Sequence, residues 1–383
     1  MNWQRVLTTA AFLLAATIAV GADQAEPQPA GPYAQWKNGP PKDDSYFPIA
    51  VWCQEPNLAA RYKEAGINVY VALWQGPTEA QLADLKKGGM QVICDQNAVG
   101  LVHKDDPTII GWMHGDEPDN FHGPMPPKII AEYEAFHKAD PSRPVFLNFG
   151  RAAASSALPD RGDRSRHDED YVEYCKGTDI ASFDIYPVAQ HDPRAHNQLD
   201  LVGKGIDRLI KFTDGRKPVW NCIECTRLEG TDKPTPKQIK AEVWIALTHG
   251  SNGIIYFVHQ FHPTFDEHAL LDEPENLAAV TAINKQIHEL APALNSPTVR
   301  DALKVESSNA AVPVTAMVKK LGGATYVFAV PEKAGATDVS FALEGLAAGA
   351  QVQVLAEDRK IEAAHGKFQD RFGDWDVHLY RIR

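Results

Sequence analysis

The chain is expected to adopt an α/β fold, a (β/α)8 TIM barrel followed by a small C-terminal antiparallel β-sandwich domain, and three observations predict it. From Tyr46 onward, short β-rich apolar runs alternate with helical segments, the pattern of βαβ units around a parallel sheet. Eight such runs occur before the pattern changes. The span 46–292 also has the ~250 residues typical of such a barrel.

At the N-terminus, Arg5 precedes an uncharged stretch that closes on Val20-Gly21-Ala22, small residues suited to signal peptidase. Residues 1–22 read as a secretory signal peptide, so the mature chain is expected to be secreted or periplasmic, without membrane association after cleavage. Residues 23–45, rich in Pro, Gly and Gln and without periodicity, read as a linker. Barrel strands are expected at 47–53, 68–74, 91–95, 109–114, 145–149, 180–186, 219–224 and 253–259. Helices are expected at 58–65, 78–87, 127–139, 168–175, 197–213, 236–248 and 274–290, with only a weak helical signal in the third connection, 99–107. Thr78 with Gln81, and Thr235 before Pro236, are N-terminal capping patterns; Gly66, Gly88 and Gly250 stand where helices should stop. After Pro292 the runs 311–318, 325–330, 338–343, 351–356 and 375–381 lack helical periodicity, and 297–383 reads as the β domain. Asn295-Ser296-Pro297 is short for a free linker, so this domain is expected to pack on the barrel.

The formal charge of -12 becomes -13 when Arg5 leaves with the signal, a balance that argues against nucleic acid or anionic membrane as partner. Five cysteines are too few for a disulfide scaffold and allow at most one or two bridges. Cys53, Cys94 and Cys222 sit in apolar runs and read as core. Cys222-x-x-Cys225 has no second pair and is a poor zinc site. The oligomeric state is not legible.

Two segments carry the chemistry. Gly111-Trp112-Met113-His114-Gly115-Asp116-Glu117-Pro118 is an apolar strand that ends in two carboxylates, and Lys217-Pro218-Val219-Trp220-Asn221-Cys222-Ile223-Glu224 repeats the design. In a parallel barrel both acids belong to the C-terminal rim, where such folds keep their active sites. A pair of carboxyl groups flanking a bond is the equipment of glycosidic cleavage. Glu117 and Glu224 are therefore the catalytic candidates, on the expected fourth and seventh strands.

That order of acids resembles the large clan of retaining (β/α)8 glycosidases that includes cellulases, mannanases and β-galactosidases, over residues 46–292. The terminal Trp375-Asp376-Val377-His378-Leu379-Tyr380 resembles the last strand of the β domain many members append. The resemblance implies Glu117 as general acid/base, Glu224 as nucleophile, and Tyr186 as the residue that hydrogen-bonds the nucleophile. The clan usually carries Asn before the acid/base Glu. Here Asp116 stands there; it cannot donate to a substrate hydroxyl, and its charge should raise the pKa of Glu117.

Other strand ends offer aromatic rings for sugar faces and polar groups for hydroxyls. The substrate-binding candidates are Trp52, Trp74, Asn97, His114, Asp116, Asn148, Asp184, Tyr186, Trp220, Tyr256 and His259, with Trp52 and Trp74 favoured as subsites. The polar segment 150–170, carrying Arg151, Arg161, Arg164, Arg166 and His167, reads as a solvated loop or a substrate wall suited to acidic sugars. No cofactor and no metal is expected, and the partner is a carbohydrate substrate. Two rival readings remain: a non-catalytic carbohydrate-binding barrel, and a metal-dependent hydrolase using the His259/His262 region with Asp266 and His268, which lacks an H-E-x-x-H pattern.

Overall fold

The structure, a computed structural model, describes residues 31–120, 123–158 and 167–383. The expected signal peptide, and Arg161, Arg164 and Arg166, lie outside the described residues.

Eight parallel strands form the barrel: β1 (Ile49–Trp52), β2 (Val69–Val71), β3 (Gln91–Cys94), β4 (Ile109–Met113), β5 (Val145–Phe149), β6 (Ile180–Phe183), β7 (Trp220–Glu224) and β8 (Gly253–Phe257). They follow chain order around the sheet, and a parallel bridge between Ala181 and Val219 joins β6 to the start of β7, closing the ring. Alternation along each strand separates two layers. Ala50, Val69, Ile93, Phe146, Trp220 and Ile255 fill the interior, while Val51, Tyr70, Val92, Leu147, Ile223 and Tyr256 pack against the helices.

The helices are α1 (Ala59–Glu64), α2 (Glu79–Gly88), α3 (Ala98–Val102), α4 (Pro126–Ala139), α5 (Asp168–Tyr174), α6 (Asp200–Phe212), α7 (Pro236–His249), α8 (Ala269–Asp272) and α9 (Pro274–Leu294). Thr78 and Thr235 each form a reciprocal capping box, with Gln81 and Gln238. Helix α2 ends one residue later than expected, because Gly89 rather than Gly88 takes the left-handed conformation (φ 65°) that stops it. The weak third connection is the five-residue α3.

Residues 31–45 do more than link. Tyr33 and Trp36 are buried in the interior cluster, the Tyr33 hydroxyl donates to the Asn252 carbonyl at 2.8 Å, and it accepts from Trp220 Nε1 at 2.8 Å. Two aromatic residues and one hydroxyl thus seal the floor under Trp220. Composition hid this, since the anchoring residues are isolated among Pro and Gly.

The C-terminal part is a sandwich of a five-stranded and a three-stranded antiparallel sheet. It contains β9 (Leu303–Ser307), β10 (Val314–Leu321), β11 (Ala324–Pro331), β12 (Thr337–Leu343), β13 (Gln351–Val354), β14 (Arg359–Glu362), β15 (Lys367–Phe372) and β16 (His378–Ile382). Strands β9, β14 and β15 were not expected, because their charged, half-exposed sequences lack an apolar run. Phe328 and Val330 share the barrel's outer core, and Phe328 packs on Trp244 of α7 with ring centroids 5.3 Å apart.

Trp220→Ala is expected to cost about 3–5 kcal/mol by leaving a cavity in the floor, and Tyr33→Phe about 1 kcal/mol, both read from urea unfolding. A Trp220→Ala loss below about 1 kcal/mol would contradict this account of the floor.

Candidate active site

The turn after β4 places the first acid. Glu117 adopts φ 43°, a left-handed conformation costly for a residue with a side chain, and its amide donates to the Asn148 carbonyl of β5 at 3.1 Å. Asn120 Nδ2 donates to Glu117 Oε2 at 2.5 Å. On the next rim position but one, Asp184 follows β6 and lies within hydrogen-bonding reach of the Glu117 carboxyl. Tyr186 donates its hydroxyl to Asp184 Oδ2 at 3.4 Å, and Asn148 Nδ2 donates to Asp116 Oδ1 at 3.1 Å. Behind them, buried Asp119 accepts from the Gly150 amide at 3.0 Å and the Tyr171 hydroxyl at 2.8 Å.

Crowding sets the protonation of this cluster. Burial, then the charges of Glu117, Asp116 and Asp119, holds Asp184 well above the ordinary carboxylate range. Burial and the Glu117 charge raise Asp116 to about 7, although its open flank tempers the first of these. Burial raises Asp119 to about 6 against the pull of its two donors. Burial and the neighbouring carboxylates thus favour the protonated form of Asp184 near neutral pH.

Glu224, expected as the partner of Glu117, has other contacts. It is 0% exposed, and its two oxygens accept from the Val188 and Ala189 amides, each at 2.6 Å. Behind it lies Glu242 of α7, also fully buried and close enough to feel the Glu224 charge. Burial pushes Glu224 up to about 7, opposed by the two amides; burial and the Glu224 charge push Glu242 well above the usual range. Glu224 therefore fastens the loop after β6 to the barrel. Tyr186, expected to bond Glu224, bonds Asp184 instead.

Several other candidates are structural. His114 turns outward, its Nε2 2.8 Å from the Gly177 carbonyl and its ring against Phe136 of α4. Asn97 caps α3, accepting from the Gly100 amide at 2.9 Å and donating to the Pro77 carbonyl at 2.8 Å. Trp220 fills the floor, and Tyr256 faces the helical layer, donating to Asn284 Oδ1 at 2.8 Å. In each, strand parity or the neighbouring turn, not residue type, sets the direction. Asn148 is buried and acts on Asp116.

Trp52, Trp74 and His259 do come together. With Cys53, Glu55, Phe257, Phe261, Phe265 and Glu267 they line a cleft of 530 Å³ at the ends of β1, β2 and β8. Phe257 contacts Tyr186, ring centroids 5.1 Å apart, so the cleft adjoins the Asp184 side of the acids. Phe261 and Phe265 escaped the sequence reading because they lie beyond the strand end, although the Phe-His-Pro-Thr-Phe spacing was a usable signal.

His259 Nε2 lies 3.0 Å from Gln54 Nε2 and 3.2 Å from the Cys53 carbonyl. Asp266, His268 and Asp272 place possible ligand atoms within 4.8 Å of one another, apart from His259 and His262, and Arg61 pairs with Asp272 at 3.5 Å. Arg151 of the 150–170 segment pairs with Asp192 at 3.3 Å. All five cysteines are free thiols, and among the described residues no helix is long and apolar enough to cross a membrane.

No family model matches the chain. No curated protein matches it either. Among solved structures it resembles the GH42 β-galactosidase Gan42B (TM-score 0.58, 10% identity, covering 88% of this chain and 98% of that one). A catalytic mutant of the same enzyme, from G. stearothermophilus, gives TM-score 0.56 at 9% identity over 88% and 98%. A substituted AmyP in complex with maltotriose gives TM-score 0.57 at 10% identity over 89% and 97%. These likenesses are likenesses of fold: a TIM barrel with an appended β domain.

Glu224→Ala should strand two buried amides and destabilise by about 2–4 kcal/mol. A carboxyl whose folded pKa is raised adds stability below its unfolded value, and that stability is lost as pH rises through the folded value. The melting temperature should therefore fall as pH rises from about 4.5 toward about 7, and Glu242→Gln should flatten the fall, by about 1–3 kcal/mol in stability. An identical slope in the variant would refute the raised pKa of Glu242.

Proposed function

We propose that this chain is an exported glycoside hydrolase that uses Asp184 and Glu117 as its carboxyl pair. The contact of these two acids at the rim, beside an aromatic cleft, is the observation that carries the reading. The fold neighbours, a β-galactosidase and a protein in complex with maltotriose, support a carbohydrate substrate. The N-terminal cation and apolar run support export.

When two carboxyls in contact have unequal environments, the one whose surroundings raise its pKa keeps the proton and serves as acid, while the other serves as the charged partner. Asp184 is accordingly the acid. Glu117, oriented by the Asn120 amide, is the nucleophile, which reverses the role the sequence resemblance implied for it. Glu117 attacks the anomeric carbon as the glycosidic C–O bond breaks, and the Asp184 proton goes to the departing oxygen. Asp184 then takes a proton from water, the hydroxide displaces Glu117, and both groups return to their starting state. Carboxyls this close lie nearer the roughly 5–5.5 Å spacing of a retaining pair than the roughly 6.5–9.5 Å in which an inverting enzyme seats its water, so retention is the expected outcome.

On an activated aryl glycoside, Glu117→Gly should be inactive and regain turnover with azide as a glycosyl azide of inverted configuration. Asp184→Asn should lose about 10²–10⁴-fold on unactivated substrates and with it the alkaline limb of the pH profile, because that limb is the loss of the Asp184 proton. Azide rescue of Glu224→Gly, but not of Glu117→Gly, would overturn the assignment.

A further inference from the structure

Among the described residues, the aromatic cleft beside the acids is also lined by negative charge. Trp74, Phe261 and Phe265 are 71%, 49% and 63% exposed, an unusual outlay of large apolar surface in one place. Phe261 and Phe265 have ring centroids 5.7 Å apart, and Phe265 stacks on His259 at 6.1 Å with an interplanar angle of 23°. Among the described residues, the charged side chains lining the cleft are carboxylates, Glu55 and Glu267, drawn together by a 3.0 Å bond from the Glu55 amide to Glu267 Oε1. Cys53, at the cleft's inner edge, senses Glu267, Asp116, Asp95 and Glu55 together, so the negative field runs from the cleft to the acidic rim.

Several other surface acids carry cations. Asp192 has Arg151 and Arg194, Glu273 has Arg227 and Lys233, and Asp272 has Arg61. Among the described residues no Lys or Arg forms an ion pair with Glu55, Asp95, Asp116 or Glu267. The titratable neighbours facing this pair of glutamates are Cys53, His259 and, beside Glu267, Asp266 and His268. Burial lowers the pKa of His259, which keeps it neutral near pH 7.

We propose that the cleft binds an oligosaccharide bearing free, protonated amino groups. This rests on the glycosidase reading of the neighbouring acids and names its substrate class. Exposed aromatic faces serve both halves of such a ligand, stacking on the apolar face of the ring and attracting the ammonium through the ring quadrupole. Glu55 and Glu267 supply the charge-assisted hydrogen bonds that a neutral sugar would leave without a cationic partner. The same field disfavours uronate, sulfated or phosphorylated sugars. The acidic sugars that the arginines of the 150–170 segment suggested are therefore not the ligand of this cleft.

The test is calorimetric binding at pH 6 to the full mature chain carrying Asp184→Asn, which slows turnover. The probes are a fully deacetylated glucosamine tetramer, its N-acetylated counterpart and cellotetraose. The amino tetramer should bind at least about tenfold more tightly than either neutral one, a step of about 1.4 kcal/mol, and the advantage should shrink with added salt. Glu55→Gln with Glu267→Gln should erase the advantage while leaving cellotetraose binding in place, and Trp74→Ala, at an exposed position, should weaken all three. Equal or weaker binding of the amino tetramer, or a preference that survives the double Gln variant, overturns the proposal. Selective binding without hydrolysis by the parent chain would sink only the glycosidase reading, and hydrolysis of neutral glycans without amino preference would sink only this one.

Discussion

Carboxyl groups in contact cannot all carry charge, and the mouth of this barrel is organised by that constraint. A closed ring of parallel strands brings every strand end to one rim, so acids that follow β4 and β6 meet although 67 positions separate Glu117 from Asp184 (184 minus 117). Once gathered, they must divide protons among themselves according to burial and donors. Asp119 is held by an amide and a tyrosine, Asp116 by an asparagine, and Asp184 by a tyrosine and the proton it keeps. The left-handed turn at Glu117 belongs to the same economy of space: it presents that carboxylate to the rim with one side open.

A second acidic pair obeys the same rule for a different purpose. Glu224 and Glu242 are sealed from water, and Glu224 spends both oxygens on the backbone of the loop that follows β6. Asp184 and Tyr186 lie in the residues leading into that loop. The buried pair thus sets the stage on which the rim acids meet, without joining them.

The barrel was legible because its signal is repeated: eight apolar runs, capping threonines and a matching length are each weak and agree with one another. The rim acids were legible in kind, since Glu117, Asp116 and Asp184 all stood out at strand ends. Their partnership was not. Glu117 and Glu224 end their strands alike in sequence, and only the amides of Val188 and Ala189 decide that one is fastened inside. His114, Asn97, Trp220 and Tyr256 have the residue types of a sugar site, but direction comes from strand parity and local turns, which place them in the outer layer, a helix cap or the floor. The polar edge strands of the β domain carry too little apolar pattern to be read before their partners are known.

The β domain sits against α7, with Phe328 on Trp244, the Glu332 carboxylate 3.2 Å from His249 and Lys333 paired with Asp200 of the adjacent α6. That helix is the one that carries Glu242 to the back of Glu224. The appended domain is therefore insulation: by keeping water from the far side of α7 it maintains the low-dielectric wall that holds the Glu224 and Glu242 carboxyls above the usual range. Damage to a sheet far from the rim would reach the buried pair as a leak of solvent, with no change in any residue of the rim.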